Sequence, residues 1–173
     1  MMTLSVAHIA VLITAGLGCG WDVRTRRITN IVTFGAAAAA LLFHTLTGGI
    51  SGLTFSAAGW LVASVLLCGS FLLGGMGAGD VKLIGALGAW LGPAEALWLA
   101  AFTGIAGGVA AVLVAVSRSY LSQACTNIGV LLMHWRAVGL RPAPQLTLET
   151  SQGPRLPYAV PMLGATIATV WLR

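Results

Sequence analysis

The run Gly74-Gly75-Met76-Gly77-Ala78-Gly79-Asp80-Val81-Lys82 breaks a long apolar sequence with three features that lipid does not favour. These are a glycine cluster, a carboxylate and an ammonium group. Glycine lets the backbone leave a helix because it has no Cβ and can take positive φ. Asp80 then stands where the next helix is expected to begin, with Lys82 in its first turn. A charge at membrane depth costs roughly 3 kcal/mol even on mild insertion scales, so an ionisable residue beside broken backbone marks a candidate functional site. A plainer reading stands beside this one, in which Asp80 only caps the helix that follows.

Composition decides what surrounds that break. The chain of 173 residues is 58% hydrophobic and only 8% charged, against about 25% charged residues in soluble domains. Its mean hydropathy is +0.94. An all-α polytopic membrane protein is expected, as a single integral-membrane domain over residues 1–173 with no room for a separate soluble domain. In such a chain the net charge of +5 reports topology and contact with anionic membrane lipids, not nucleic acid. Cys19, Cys68 and Cys125 are far apart and form no C-x-x-C pair, and His8, His44 and His134 lack ligand-spaced partners. No metal or other cofactor is implied.

Six spans follow in order. Leu4 to Gly20 reads as a first, uncleaved span, because it lacks a basic n-region and its charges come after the apolar run. Trp21 is expected at the interface, with Asp22 just below it. The stretch Asp22 to Asn30 is the most basic of the chain, hence a cytoplasmic loop, which puts the N-terminus outside. Ile31–Thr47 and Thr54–Leu73 form a hairpin across the uncharged turn 48–52, with small side chains at 36–40 for close packing. Asp80 to Gly92 covers roughly 20 Å as helix, short of the ~30 Å hydrocarbon core, so Asp80 is expected recessed below the cytoplasmic interface. Ala96–Val116 is the fifth span and Leu156–Leu172 the last. Gly88-x-x-x-Gly92 and Gly104-x-x-x-Gly108 are read as ordinary bundle packing. Pro157 and Pro161 near the last start imply a bend.

Between the last two spans lies a hydrophilic cytoplasmic loop, about 117–155. Leu121, Ala124, Ile128, Leu131, Leu132, Trp135 and Val138 recur there at helical spacing, which predicts an interfacial amphipathic helix ended by the run 141–144. Arg24, Arg26, Arg27, Lys82, Arg118, Arg136, Arg141 and Arg155 all fall on the cytoplasmic side of this arrangement, and Arg173 falls outside.

The hairpin between Asp22 and Asp80 brings both carboxylates to the same end of the bundle. Of the four acidic residues, Glu95 belongs to an outer turn and Glu149 to the hydrophilic loop. Two aspartates in a poorly solvated site cannot both ionise easily and come to share a proton. One can then deprotonate a water while the other donates towards a carbonyl oxygen, which is metal-free peptide hydrolysis. Two other classes stand beside this reading. One is a proton-coupled transporter or channel component with the Asp pair as proton relay, although only one glycine break is found where inverted repeats require two. The other is a structural role, with Asp22 paired to an Arg and Asp80 a cap.

Gly77-Ala78-Gly79-Asp80, followed by Lys82 and preceded by an aspartate after the first span, resembles the type IV prepilin peptidases, the GxGD-type aspartic proteases. Asp22, Ile28 and Asn30 resemble the family's D-x(5)-I-P-N pattern, with Thr29 in place of the proline. Pro157-Tyr158-Ala159-Val160-Pro161 resembles the start of its last helix. The resemblance implies that Asp22 and Asp80 are catalytic and that Gly77, Gly79, Lys82, Asn30, Pro157, Tyr158 and Pro161 shape the site. It implies an enzyme of the bacterial inner membrane, multi-pass, with its active site at the cytoplasmic face. Its substrates would be prepilins or pilin-like precursors, cut between a short basic leader and an apolar helix, and pilus assembly machinery would be a partner. Large bifunctional members carry an N-terminal region with paired C-x-x-C motifs and also N-methylate the product. Neither feature is found here, so the implied branch is peptidase-only and includes the tight-adherence (Flp) pilus enzymes.

Overall fold

The computed structural model of the protein describes residues 5–147 and 157–172. Leu4, Glu149, Arg155, Leu156 and Arg173, weighed above, lie outside the described residues. Six helices follow one another: α1 (Val6–Thr25), α2 (Asn30–Leu72), α3 (Ala78–Leu91), α4 (Pro93–Ser117), α5 (Leu121–Val138) and α6 (Ala159–Leu172). Among the described residues there is no strand.

The core is α3. Every residue from Leu83 to Leu91 is buried, as expected of a helix that is apolar on all sides. The long α2 wraps it as two arms, because Gly49 leaves helical geometry at φ 61° and ψ −140°, a region open to glycine and strained for other residues. The first arm runs alongside α3. Lys82 Nζ donates to Asn30 Oδ1 at 3.1 Å near its start, and His44 Nε2 bonds the Trp90 carbonyl at 3.1 Å near its end. The second arm returns. Ser56 Oγ donates to the Ala89 carbonyl at 2.8 Å, and Trp60 and Ser64 stand over Gly85 further back. The expected hairpin is therefore present. The 14-residue α3 spans about 21 Å, as short as expected.

Gly92 takes φ 83° between α3 and α4, and Pro93 opens α4, where its missing N–H leaves no bond unmade. Gly59 meets Gly88 and Gly92 so closely that a side chain at any of the three would collide. The first small-residue motif is thus used in packing. Gly104 and Gly108 have nothing within 4 Å of a would-be Cβ, so the second motif is not packed within the chain, a correction to the expectation.

Helix ends also differ from expectation. The first helix continues through Asp22 to Thr25, whose hydroxyl back-bonds to the Trp21 carbonyl at 2.9 Å, so Asp22 belongs to its last turn and not to the loop. The α3 helix begins at Ala78, two residues before Asp80. Gly139, at φ 83°, ends α5 ahead of the 141–144 run. The start of α6 comes at Ala159, so Pro157 precedes it and Pro161 lies in its first turn, where amide N–H groups lack intrahelical partners; the prolines mark its entry and need not bend it.

Around the core, Ile13, Leu46, Ile50, Val65, Leu72, Ile105, Val112 and Leu113 are more than half exposed. In water such a belt would be an aggregation hazard. In a bilayer it is the lipid-facing surface, and helices are one of the two structures that can span one. The protein is an all-α membrane protein, with α1, α2 and α4 long and apolar enough to cross.

Candidate active site

A carboxylate in the last turn of a helix sits at the wrong pole of the helix dipole. Asp22 is in this position in α1, and only 7% of it is exposed. The charge is answered from another element. Asp22 Oδ2 accepts the Ala159 N–H at 3.3 Å, and Ala159 is the first residue of α6. The first amide and positive pole of one helix thus face the carboxylate at the negative pole of another.

Asp80 occupies the third position of α3. Its Oδ2 accepts the Gly77 N–H at 3.2 Å, the reach-back half of a capping box. The capping role expected on the plainer reading is therefore real, but Asp80 exercises it from inside the first turn. A Cβ at Gly77 would stand 3.2 Å from that same oxygen, and one at Gly79 would stand 3.3 Å from Ile28 Cβ. The two glycines leave room for the carboxylate and for the α1–α2 connection. Positive φ in this cluster is confined to Gly74, at φ 78°, where the chain turns beneath Thr147.

The two aspartates come together. Asp80 lies within the field of the Asp22 charge, and the residue before Ala159 completes the link. Tyr158, half-buried, lies within the field of Asp80. One edge of the Tyr158 ring packs on α4 at Gly107, where a Cβ would come within 3.2 Å. Ala159 of α6 thus bonds Asp22 of α1, and Tyr158 just before it lies within the field of Asp80 of α3. Two neighbouring carboxylates, each held by one backbone N–H, suit the sharing of a single proton.

Other residues singled out in the sequence fall around this patch. Lys82 reaches towards α2, where its ammonium bonds Asn30 and lies 5.2 Å from the centre of the Phe34 ring. It ties α3 to α2 and braces the loop that carries Ile28. Pro157 and Pro161 bracket the residues that meet the two carboxylates. Sequence reasoning missed the Ala159 amide, since a main-chain donor has no side-chain signature. The available signal was the proline pair that predicts a helix start. It also missed Met76, 6% exposed beside Gly77.

A family model described as the type IV leader peptidase family matches residues 9–112. The match covers α1 from its first turn, all of α2 and α3 and most of α4, and it includes Asp22 and Asp80; Tyr158 and α6 lie beyond it. Neither the comparison with curated proteins nor that with solved structures gave a match. With more than half of its length matched, and with helices fit for a bilayer, this chain belongs to the type IV leader peptidase family.

Proposed function

We propose that the protein is an aspartic endopeptidase of the bacterial inner membrane that removes short basic leaders from prepilins, with Asp22 and Asp80 as its catalytic pair. What supports the reading is that each carboxylate is anchored by the amide of a helix start and that Asp80 lies within the field of Asp22. In this mechanism one proton is held between the pair. The ionised member takes a proton from a water, whose oxygen attacks the scissile carbonyl carbon, and the protonated member gives its proton to the carbonyl oxygen. Collapse of the tetrahedral intermediate breaks the C–N bond, and the leaving amine takes up the proton the first carboxylate gained. Such acid–base work contributes about 10²–10⁴-fold.

The basic residues Arg24, Arg26, Arg27 and Lys82 belong to the same end of the bundle as the pair. By the positive-inside rule that end is cytoplasmic, the N-terminus is outside, and the arms of α2 are two of six crossings. A leader in the cytosol joined to an apolar helix in the membrane would present its junction at this level. Peptide hydrolysis is the activity proposed, in the manner of the peptidase-only branch that includes the tight-adherence systems; methyl transfer is not part of the proposal.

The test is cleavage of a co-expressed prepilin, followed as a mobility shift, by wild type, Asp22→Asn and Asp80→Asn. Asparagine keeps the shape and accepts the same backbone N–H bonds, but it cannot shuttle a proton. Each variant is expected to accumulate in the membrane normally and to leave the precursor uncut. Cleavage by either variant at near the wild-type rate would overturn the two-aspartate mechanism.

A further inference from the structure

A cavity of about 420 Å³ lies between the second arm of α2 and α4. At one end it reaches Met76, next to the amide that holds Asp80, and Tyr158, which feels the charge of Asp80. Along its flank Leu66, Ala101 and Gly104 are exposed, so it opens sideways towards lipid. Beyond Leu97 its α4 wall is made of the small residues Ala100, Ala101, Thr103 and Gly104, and Gly104 has nothing within 4 Å of a would-be Cβ. A wall of this kind lets a second helix backbone come close. This is the motif that packing within the chain leaves unused.

Thr103, which also lines the cavity, makes an independent point. It is 1% exposed, and its hydroxyl has no hydrogen-bond partner. Elsewhere in the bundle buried threonines spend the hydroxyl on their own helix: Thr14 on the Ala10 carbonyl, Thr166 on Met162 and Thr169 on Ala165. A buried donor without a partner is costly to keep. A peptide bond can be hydrolysed only where its helix is unwound, and unwinding frees carbonyls that water cannot reach here. Thr103 can donate to one of them.

We infer that this lateral groove receives the apolar segment that follows the scissile bond, with the segment entering from the bilayer between α2 and α4 and its first, unwound turn meeting Thr103. The inference rests on the peptidase reading above. It assigns substrate binding to a face that the aspartates do not themselves define.

Two measurements on the full-length protein in membranes test it, with a co-expressed prepilin as the probe. In the first, a photo-reactive phenylalanine analogue replaces Ala101 or Ile105 in the Asp80→Asn background. Ile105 is 64% exposed on α4 but does not line the groove. An adduct between precursor and enzyme is expected from position 101 and not from 105. In the second, Gly104→Trp sets a bulky ring at the groove, where a Cβ meets nothing within 4 Å, and is expected to slow cleavage at least about tenfold, whereas Ile105→Trp leaves it unchanged. Thr103→Val is expected to slow cleavage about fivefold with no loss of thermal stability, since it removes only an unpartnered hydroxyl. Equal adducts at 101 and 105, or none at 101, would overturn the inference, as would a Gly104→Trp enzyme that cuts at the wild-type rate. A lipid acyl chain would then be the occupant. Failure of the peptidase reading looks different: the wild-type enzyme itself would leave the precursor uncut.

Discussion

At the scale of single residues, the hydrogen bond from the Ala159 amide to Asp22 makes a prediction no side chain makes. Ala159→Pro deletes this donor at a helix start, where proline is otherwise favoured. Hydrogen bonds to charged groups are worth about 1.5–3 kcal/mol, so the variant is expected to cut about ten- to a hundredfold more slowly while reaching the membrane in normal amount. Prepilin cleavage timed against enzyme level checks this, and an unchanged rate would mean that Asp22 does not depend on α6. Residue types foretold part of this patch. Asp22 and Asp80 stand out because carboxylates are rare in apolar sequence, and Asp80 lies within the field of Asp22, in keeping with the hairpin argument. Which atoms hold them was not legible, because both donors are main-chain N–H groups. The position of Asp80 at the third residue of its helix was hidden for a related reason. Gly77 has no side chain with which to announce the start.

At the scale of elements, α2 shows what apolar periodicity can and cannot tell. Length and hydropathy foretold two apolar helices here, and the uncharged run 48–52 foretold the turn between them. Gly49 alone carries the reversal at φ 61°, with open space around it, so a side chain there meets backbone strain and no collision. Gly49→Ala is expected to cost about 1–3 kcal/mol, read as a lower unfolding temperature in detergent, while cleavage per folded molecule stays unchanged because the turn is at the far end from the aspartates. A loss of specific activity would instead tie that turn to the site. The small-residue motifs were less legible. Gly88 and Gly92 meet Gly59, whereas Gly104 meets nothing in the chain, yet both read alike in sequence. Spacing shows that a backbone could come close and leaves open which one does. Helix ends were blurred by local bonds such as that of Thr25, which carried α1 past Asp22.

At the scale of the whole molecule, the two poles of the bundle differ in chemistry. One gathers the basic residues, the two aspartates and the glycine break. The other gathers the rings of Phe43, His44, Phe55 and Trp90 beside the turn at Gly49. If the first pole faces the cytosol, an impermeant thiol reagent added to intact cells is expected to label a cysteine introduced as Ser51→Cys, and to reach Cys125 of α5 only after the membrane is opened. The opposite pattern would invert the proposed orientation and place the aspartates on the wrong side for a cytosolic leader. The architecture also bears on how such a protein is made. Asp22 is synthesised 137 positions before its partner Ala159. A ribosome that has threaded α1 to α4 into the bilayer has made both carboxylates and still lacks the amide that steadies one of them. On the proposed reading the pair is complete only once α6 is made, and a chain stalled before α6 would carry both acids without the amide that holds Asp22.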